Sequence, residues 1–305
     1  MRKSNILWVV LLSMLAACHV SGHKSHDGKL RVLATTGMIA DAAKNIVRDS
    51  AEVAALMGAG VDPHLYKATQ SDLLKLTRAD VVLYNGLHLE GKMAEVLEKL
   101  ARQKTVVAVS DGIPRPMLNY SEAFGDHPDP HIWFDVQLWR MTVQEMSRKL
   151  QSTDTVHAAF YAANAAQYLA QLDSLDTWVK QEMNRIPPQA RVLITAHDAF
   201  GYFGRAYRVE VKGLQGISTV SEFGLRDVAD LVNFICERKI KAVFVESSVP
   251  PRAIEAVIEG CRDKGHEVRV GGTLFSDAMG AAGTPEGTYI GMVQANVRTI
   301  VQALR

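Results

Sequence analysis

The chain has 305 residues and 48% apolar content, enough to bury a sizeable core and to divide into two domains. Lys plus Arg number 34 against 33 Asp plus Glu, so the basic excess or basic stripe of a nucleic-acid footprint is absent. Three cysteines, none in a CxxC pattern, argue against a thiolate metal site.

The chain opens with Arg2 and Lys3, followed by the apolar run ILWVVLLSMLAA. That run is too short to span a bilayer, which needs about 20 residues, and it fits the apolar part of a secretory leader over residues 1–17. It ends in LAAC, Leu15 to Cys18, which resembles the bacterial lipobox. Cleavage before Cys18 and its lipidation would give a membrane-anchored protein, since acyl chains contribute about 0.8 kcal/mol per buried CH2. Residues 18–29 are polar and read as a tether. Within it, His19, His23 and His26 read as solvated spacer rather than as a weak metal scavenger.

Strand and helix patterns then alternate. LRVLATT, AEVAALM, DVVLYNG and KTVVAVS read as four buried strands. GMIADAAKNIVRD, SDLLKLTRA and LEGKMAEVLEKLARQ read as the helices between them, with Ser71 or Asp72 as a cap. Such alternation predicts a parallel sheet covered by helices. The architecture recurs later: ARVLITAHDAFGYFGRAY echoes LRVLATTGMIADAAKNI, KIKAVFVESSVPPRAIEAVIEGC supplies a further strand and helix, and HEVRVGGTLFSDAMG closes a second sheet. Between the halves, the run from Asp154 to Arg185 holds neither Gly nor Pro, and Ala165, Leu169, Leu172, Leu175, Val179 and Met183 recur at helical spacing. With Asp154 as N-cap and Pro187-Pro188 as terminator, this predicts one rod of roughly 45 Å. The expected fold is therefore α/β, two parallel-sheet lobes joined by one long rigid helix. The divisions are an N-terminal lobe over 30–153, a linking helix over 154–186 and a C-terminal lobe over 187–305. A continuous helix resists bending, so small lobe movements are expected.

Ligands of open α/β sheets bind at the carboxyl ends of strands, and four chemistry-bearing residues fall there. His64 stands in VDPHLY, His131 in DPHIWFD, His197 in LITAHDAFGYF and Asp277 in LFSDAMG. Two belong to each half, so facing lobes would bring all four to one cleft. Three imidazoles and a carboxylate suit zinc and also hold manganese, whereas calcium and magnesium prefer oxygen shells. Pro63 and Pro130 fix their own φ and lower the freedom each loop loses on ordering. By spacing alone the plainer reading, three histidines and one aspartate each satisfied separately, stays open, because ten histidines offer many triples.

VDPHLYKAT, YNGLHLE, DPHIWFD, TAHDAFGYF, VKGLQGIST, FVESSVP and GGTLFSDAMGAAGTPEGTY strongly resemble the TroA-like zinc- and manganese-binding receptors of bacterial ABC importers. The resemblance runs from about Leu30 to the C-terminus. It implies a two-lobed, helix-bridged fold with the ion buried between the lobes, and it puts His64, His131, His197 and Asp277 at the family's ligand positions. Some relatives carry glutamate where His197 stands and lean toward manganese, so histidine here looks like the zinc-capable branch. Zinc-dedicated relatives often carry a long His-rich acidic loop, and EAFGDHPDP retains only His127.

Asp135, Asp198 and Glu246 are the candidates for orienting the ligating imidazoles, a role usually filled by a carboxylate or carbonyl. His88, His157 and His266 read as structural or surface residues. Cys236 and Cys261 are a disulfide candidate if the compartment is oxidising, with their separation unread from sequence. The expected function is an extracytoplasmic, lipid-anchored, monomeric receptor of the bacterial cell envelope that passes Zn2+ or Mn2+ to an ABC permease and its ATPase. Two alternatives compete: a zinc hydrolase, and a lipid-anchored adhesin with a structural metal. A hydrolase needs an open metal position and a general base, and neither HExxH nor a serine elbow appears.

Overall fold

The computed structural model describes residues 28–121, 124–125 and 127–305. The expected leader, Cys18 and the histidines beside it lie outside the described residues. Among those described, no helix is long and apolar enough to cross a membrane.

The N-terminal lobe is built from β1 (Leu30–Ala34), α1 (Gly37–Val47), β2 (Ala51–Ala55), α2 (Gln70–Arg78), β3 (Val81–Tyr84), α3 (Ala94–Ala101) and β4 (Thr105–Ala108). Its four strands form one parallel sheet in the order β2-β1-β3-β4. All four expected strands are present. Helix α2 starts earlier than its apolar stripe suggests: Thr69, not Ser71 or Asp72, is the cap, and Asp72 closes a reciprocal capping box with it.

Helices α4 (Val136–Thr153) and α5 (Ala158–Met183) follow. Asp154, expected to cap the linking helix, ends α4 instead, and α5 begins four residues later. The Asp154 N–H donates to Leu150 O (2.9 Å), and its carboxylate accepts from Tyr161 OH (2.8 Å) and faces His157 Nδ1 at 2.8 Å. Twenty-six residues make α5 about 39 Å long.

The C-terminal lobe comprises β5 (Val192–His197), α6 (Gly201–Tyr207), β6 (Glu210–Gln215), α7 (Leu225–Glu237), β7 (Ala242–Glu246), α8 (Arg252–Asp263), β8 (Arg269–Leu274) and α9 (Tyr289–Leu304). Its strands form two parallel pairs, β5–β6 and β7–β8, with β5 beside β7.

Helix α5 touches α1 and α4 of the first lobe and α6 and α9 of the second. Its Asn164 Nδ2 donates to Ile46 O (3.0 Å) and its Asp176 accepts from Tyr207 OH (3.1 Å). Tyr161, Tyr168, Leu172, Leu175, Val179 and Met183 are buried along it, each stabilising by about 1.5–3 kcal/mol. They belong to one apolar cluster that runs from Val32 on β1 to Val301 on α9. Phe134 stacks on Phe200 (4.2 Å between centroids), Trp133 Nε1 donates to Ser276 O (3.0 Å), and Tyr289 OH donates to Trp133 O (2.8 Å). The lobes thus share a continuous core as well as a connection.

Candidate metal centre

The sequence DPH occurs twice, and both times it builds the same turn. Asp62 Oδ1 accepts the His64 backbone N–H (2.8 Å), and Asp129 Oδ1 accepts the His131 backbone N–H (3.0 Å). An aspartate that bonds the backbone two residues on defines an Asx-turn, and the intervening proline fixes the central φ. The first turn lies between β2 and α2, the second just before α4. His197 is the last residue of β5, and Asp277 follows β8. Asp277 is anchored through Ser276, whose Oγ pairs with Ser248 Oγ (2.8 Å).

These four loops meet. His64, His131, His197 and Asp277 each offer one ligand atom, all within 4.8 Å of one another. Asp277 Oδ2 lies 3.3 Å from His197 Nε2 and 3.7 Å from His64 Nε2, and Asp277 Oδ1 lies 3.4 Å from His131 Nε2. His64 Nε2 and His131 Nε2 are 3.3 Å apart. None of the four side chains is more than 2% exposed. Asp277 Oδ1, Asp277 Oδ2 and His197 Nε2 are buried without a hydrogen-bond partner among the described residues. Burying such atoms unpaired is costly, and a divalent cation at their centre removes the cost. Nitrogen donors with one carboxylate suit a borderline transition ion.

The far sides of two imidazoles are fixed by carboxylates. Asp129 Oδ1 lies 2.7 Å from His131 Nδ1. Glu246 Oε2 is in ion-pair contact with His197 Nδ1 at 2.5 Å, though not aligned as a hydrogen bond, while Glu246 Oε1 accepts the His197 backbone N–H (2.8 Å). Both contacts leave Nε2 free to face the centre. Gly201 makes room for Asp129, because a Cβ there would sit 2.9 Å from its Oδ2.

Charge follows this geometry. Burial pulls the His131 imidazole down, but Asp129 and then Asp277 overturn that and hold it at about 9. His197 likewise stands well above its ordinary value, burial opposing and Glu246 and Asp277 prevailing. Burial lowers His64 to about 3. Asp277 is held well below the carboxylate range: burial resists, and His197 and His131 prevail.

Of the three carboxylates expected to orient imidazoles, Glu246 is the one that lies against a ring nitrogen, Nδ1 of His197. Asp135 does not: it caps α4, accepting from Gln137 N (2.9 Å) and Leu138 N (3.4 Å), because it follows His131 at the start of that helix. Asp198 is half-buried next to His197, where burial raises its carboxyl, and its backbone N–H donates to Gln215 O (3.0 Å). Asp129 and Asp62 are the residues that sequence reasoning missed, and the repeated DPH was the signal for them. Away from the site, His88 packs against His127 with tilted rings (3.6 Å between centroids) and His266 Nε2 lies 2.7 Å from Ile240 O.

Residues 32–303 match the family described as ZnuA, zinc-uptake complex component A periplasmic. The chain is 52% identical over 285 residues to the manganese-binding lipoprotein MntA of Bacillus subtilis, covering 93% of each chain. It is 49% identical over 300 residues to the zinc-binding protein TroA of Treponema pallidum, covering 97% of this chain and 96% of that one. Its structure superimposes on the solved structure of periplasmic zinc-binding TroA from Treponema pallidum with a TM-score of 0.89 at 50% identity, over 91% of this chain and 99% of the other. Sequence extent, fold and site geometry lead to one assignment: the chain belongs to the ZnuA family of periplasmic zinc-uptake components.

Proposed function

We propose that this chain is an extracytoplasmic receptor that captures Zn2+ or Mn2+ between its lobes and delivers the ion to an ABC importer. The ligands are His64, His131, His197 and Asp277. The observation that carries the reading is their convergence, two from each half, with ligand atoms within 4.8 Å and unpartnered buried oxygens on Asp277. Asp277 turns both oxygens toward imidazoles, so the shell offers up to five donor atoms, which accommodates zinc or manganese. A lipid on Cys18 would tether the receptor as a monomer beside its permease and ATPase. We divide the chain into a leader (1–17), a tether (18–29), lobes over 30–153 and 187–305, and a linking region over 154–186.

A hydrolytic zinc needs a coordination position open to water. Four protein donors, all buried, favour holding an ion over activating water on it. Elemental analysis after dialysis against Zn2+ or Mn2+ tests the reading. One ion per chain is expected, and His64→Ala and Asp277→Ala should each abolish it while keeping the circular dichroism of the parent. Undiminished metal in both variants would refute the site.

A further inference from the structure

Cys236 and Cys261 meet where α7 packs on α8. Each stands in the last turn of its helix. The helices approach closely beside them: a Cβ on Gly260 would lie 2.8 Å from Val232 Cγ2, and Val232 is one turn before Cys236. On the other side, Lys264 Nζ donates to Asn233 Oδ1. Cys261 is fully buried in the apolar cluster of this lobe, and Cys236 packs against the same cluster, half-buried. Burial, then contact with the Cys236 thiol, pushes the Cys261 thiol up to about 12.

The two thiols differ in access. Cys236 lines an open cleft whose wall carries Lys239, Lys241, Arg262 and Arg269 against one acid, Glu267, with Arg262 also paired to Glu259. That basic wall attracts an anionic reagent. Cys261 is fully buried and does not line that cleft, so a reagent in the cleft meets Cys236 first.

We propose that Cys236 and Cys261 form an internal disulfide site, oxidised by exchange with an anionic disulfide that enters through the basic cleft. The Cys236 thiolate attacks one sulfur of the incoming disulfide, whose S–S bond breaks, and one thiolate leaves and takes up a proton. Cys261 then gives up its proton and attacks the Cys236 sulfur of the mixed disulfide, releasing the second thiol. Two protein thiols are oxidised and one external disulfide is reduced to two thiols, so no other oxidant is required. An extracytoplasmic compartment favours the oxidised form. The product staples α7 to α8 in the lobe that carries His197 and Asp277, and it closes the loop between residues 236 and 261.

Oxidised glutathione is the probe. The reduced full-length chain is incubated with it without denaturant, then denatured, alkylated and digested with trypsin. The expected result is a linked pair of peptides, residues 227–238 with 253–262, lighter by two hydrogens than their sum, and a Tm that falls by about 5 °C or more on reduction. In Cys261→Ala the glutathione adduct should persist on Cys236, since nothing resolves it. Full alkylation of both cysteines after incubation, or an adduct that persists on Cys236 in the parent, overturns the proposal.

Discussion

Replacing Asp129 by Asn tests how the centre is tuned. The amide keeps an oxygen for the His131 Nδ1–H and backbone N–H, now held at 2.7 and 3.0 Å, and removes only the charge. Two effects follow, with opposite signs. Loss of the carboxylate that supports a ligating imidazole typically weakens metal affinity by about 10- to 100-fold. Asp129 is also the largest influence that raises His131 to about 9 against the pull of burial. At a pH of about 7, two units lower, the proton on His131 weakens metal binding by about 100-fold in the parent. The variant escapes most of that competition. Its affinity should therefore trail the parent at a pH of about 8.5, draw level near about 7 and exceed it at about 6. Competition with a fluorescent chelator across this range measures both curves. Parallel curves, or equal affinities at the alkaline end, would refute the role assigned to Asp129.

Metal-free stability should fall on both sides of a pH near 6.5. His131 is raised, so its contribution is full below about 6.5 and lost as pH climbs toward about 9, whereas His64, lowered to about 3, must charge against its burial as the pH drops. The gain in Tm from added metal should grow between pH about 6 and 8.5, and a shrinking gain would contradict the proton inventory. Gly213→Ala would place a Cβ 2.5 Å from Asp198 N and 2.6 Å from the His197 carbonyl carbon. It should cost about 1–3 kcal/mol and weaken metal binding with it, whereas Gly58→Ala, with open space around it, should stay within about 0.5 kcal/mol in the same urea titration. Trp133→Phe strands the buried Ser276 carbonyl, and a loss of about 1–3 kcal/mol with an unchanged denaturant slope is expected.

The four candidate ligands were legible because His64, His131 and Asp277 stand among turn residues and His197 ends a strand, places where a side chain is free to face a ligand. Asp129 was not, because its role depends on the direction of a turn: the carboxylate two residues before His131 folds back to it, while Asp135 after it is consumed by the N-terminus of α4. The parallel strands of the first lobe announce themselves as short apolar runs. Strand β6 does not. Its first four residues alternate between exposed and half-buried with Leu214 alone buried, and its Gly213, which weakens any strand reading, is explained only by the backbone of β5 and Asp198 lying against it. At the joint between α4 and α5 the sequence offers Asp154 as a cap but not which helix it serves: it ends α4, and its carboxylate meets His157 and Tyr161 at the start of α5.

The apolar cluster along α5 sets a rule for how cargo leaves. Swinging the lobes apart would hydrate Phe134, Phe200, Trp133 and Tyr289 together, and each large ring resists exposure by roughly 1.5–3 kcal/mol. Such a sum makes the swung-open form rare. Unloading is therefore expected to proceed by local fraying of the segments that hold His64 and Asp277, with the hydrophobic spine intact. Dissociation rates should therefore respond to substitutions in those segments far more than to changes along the spine.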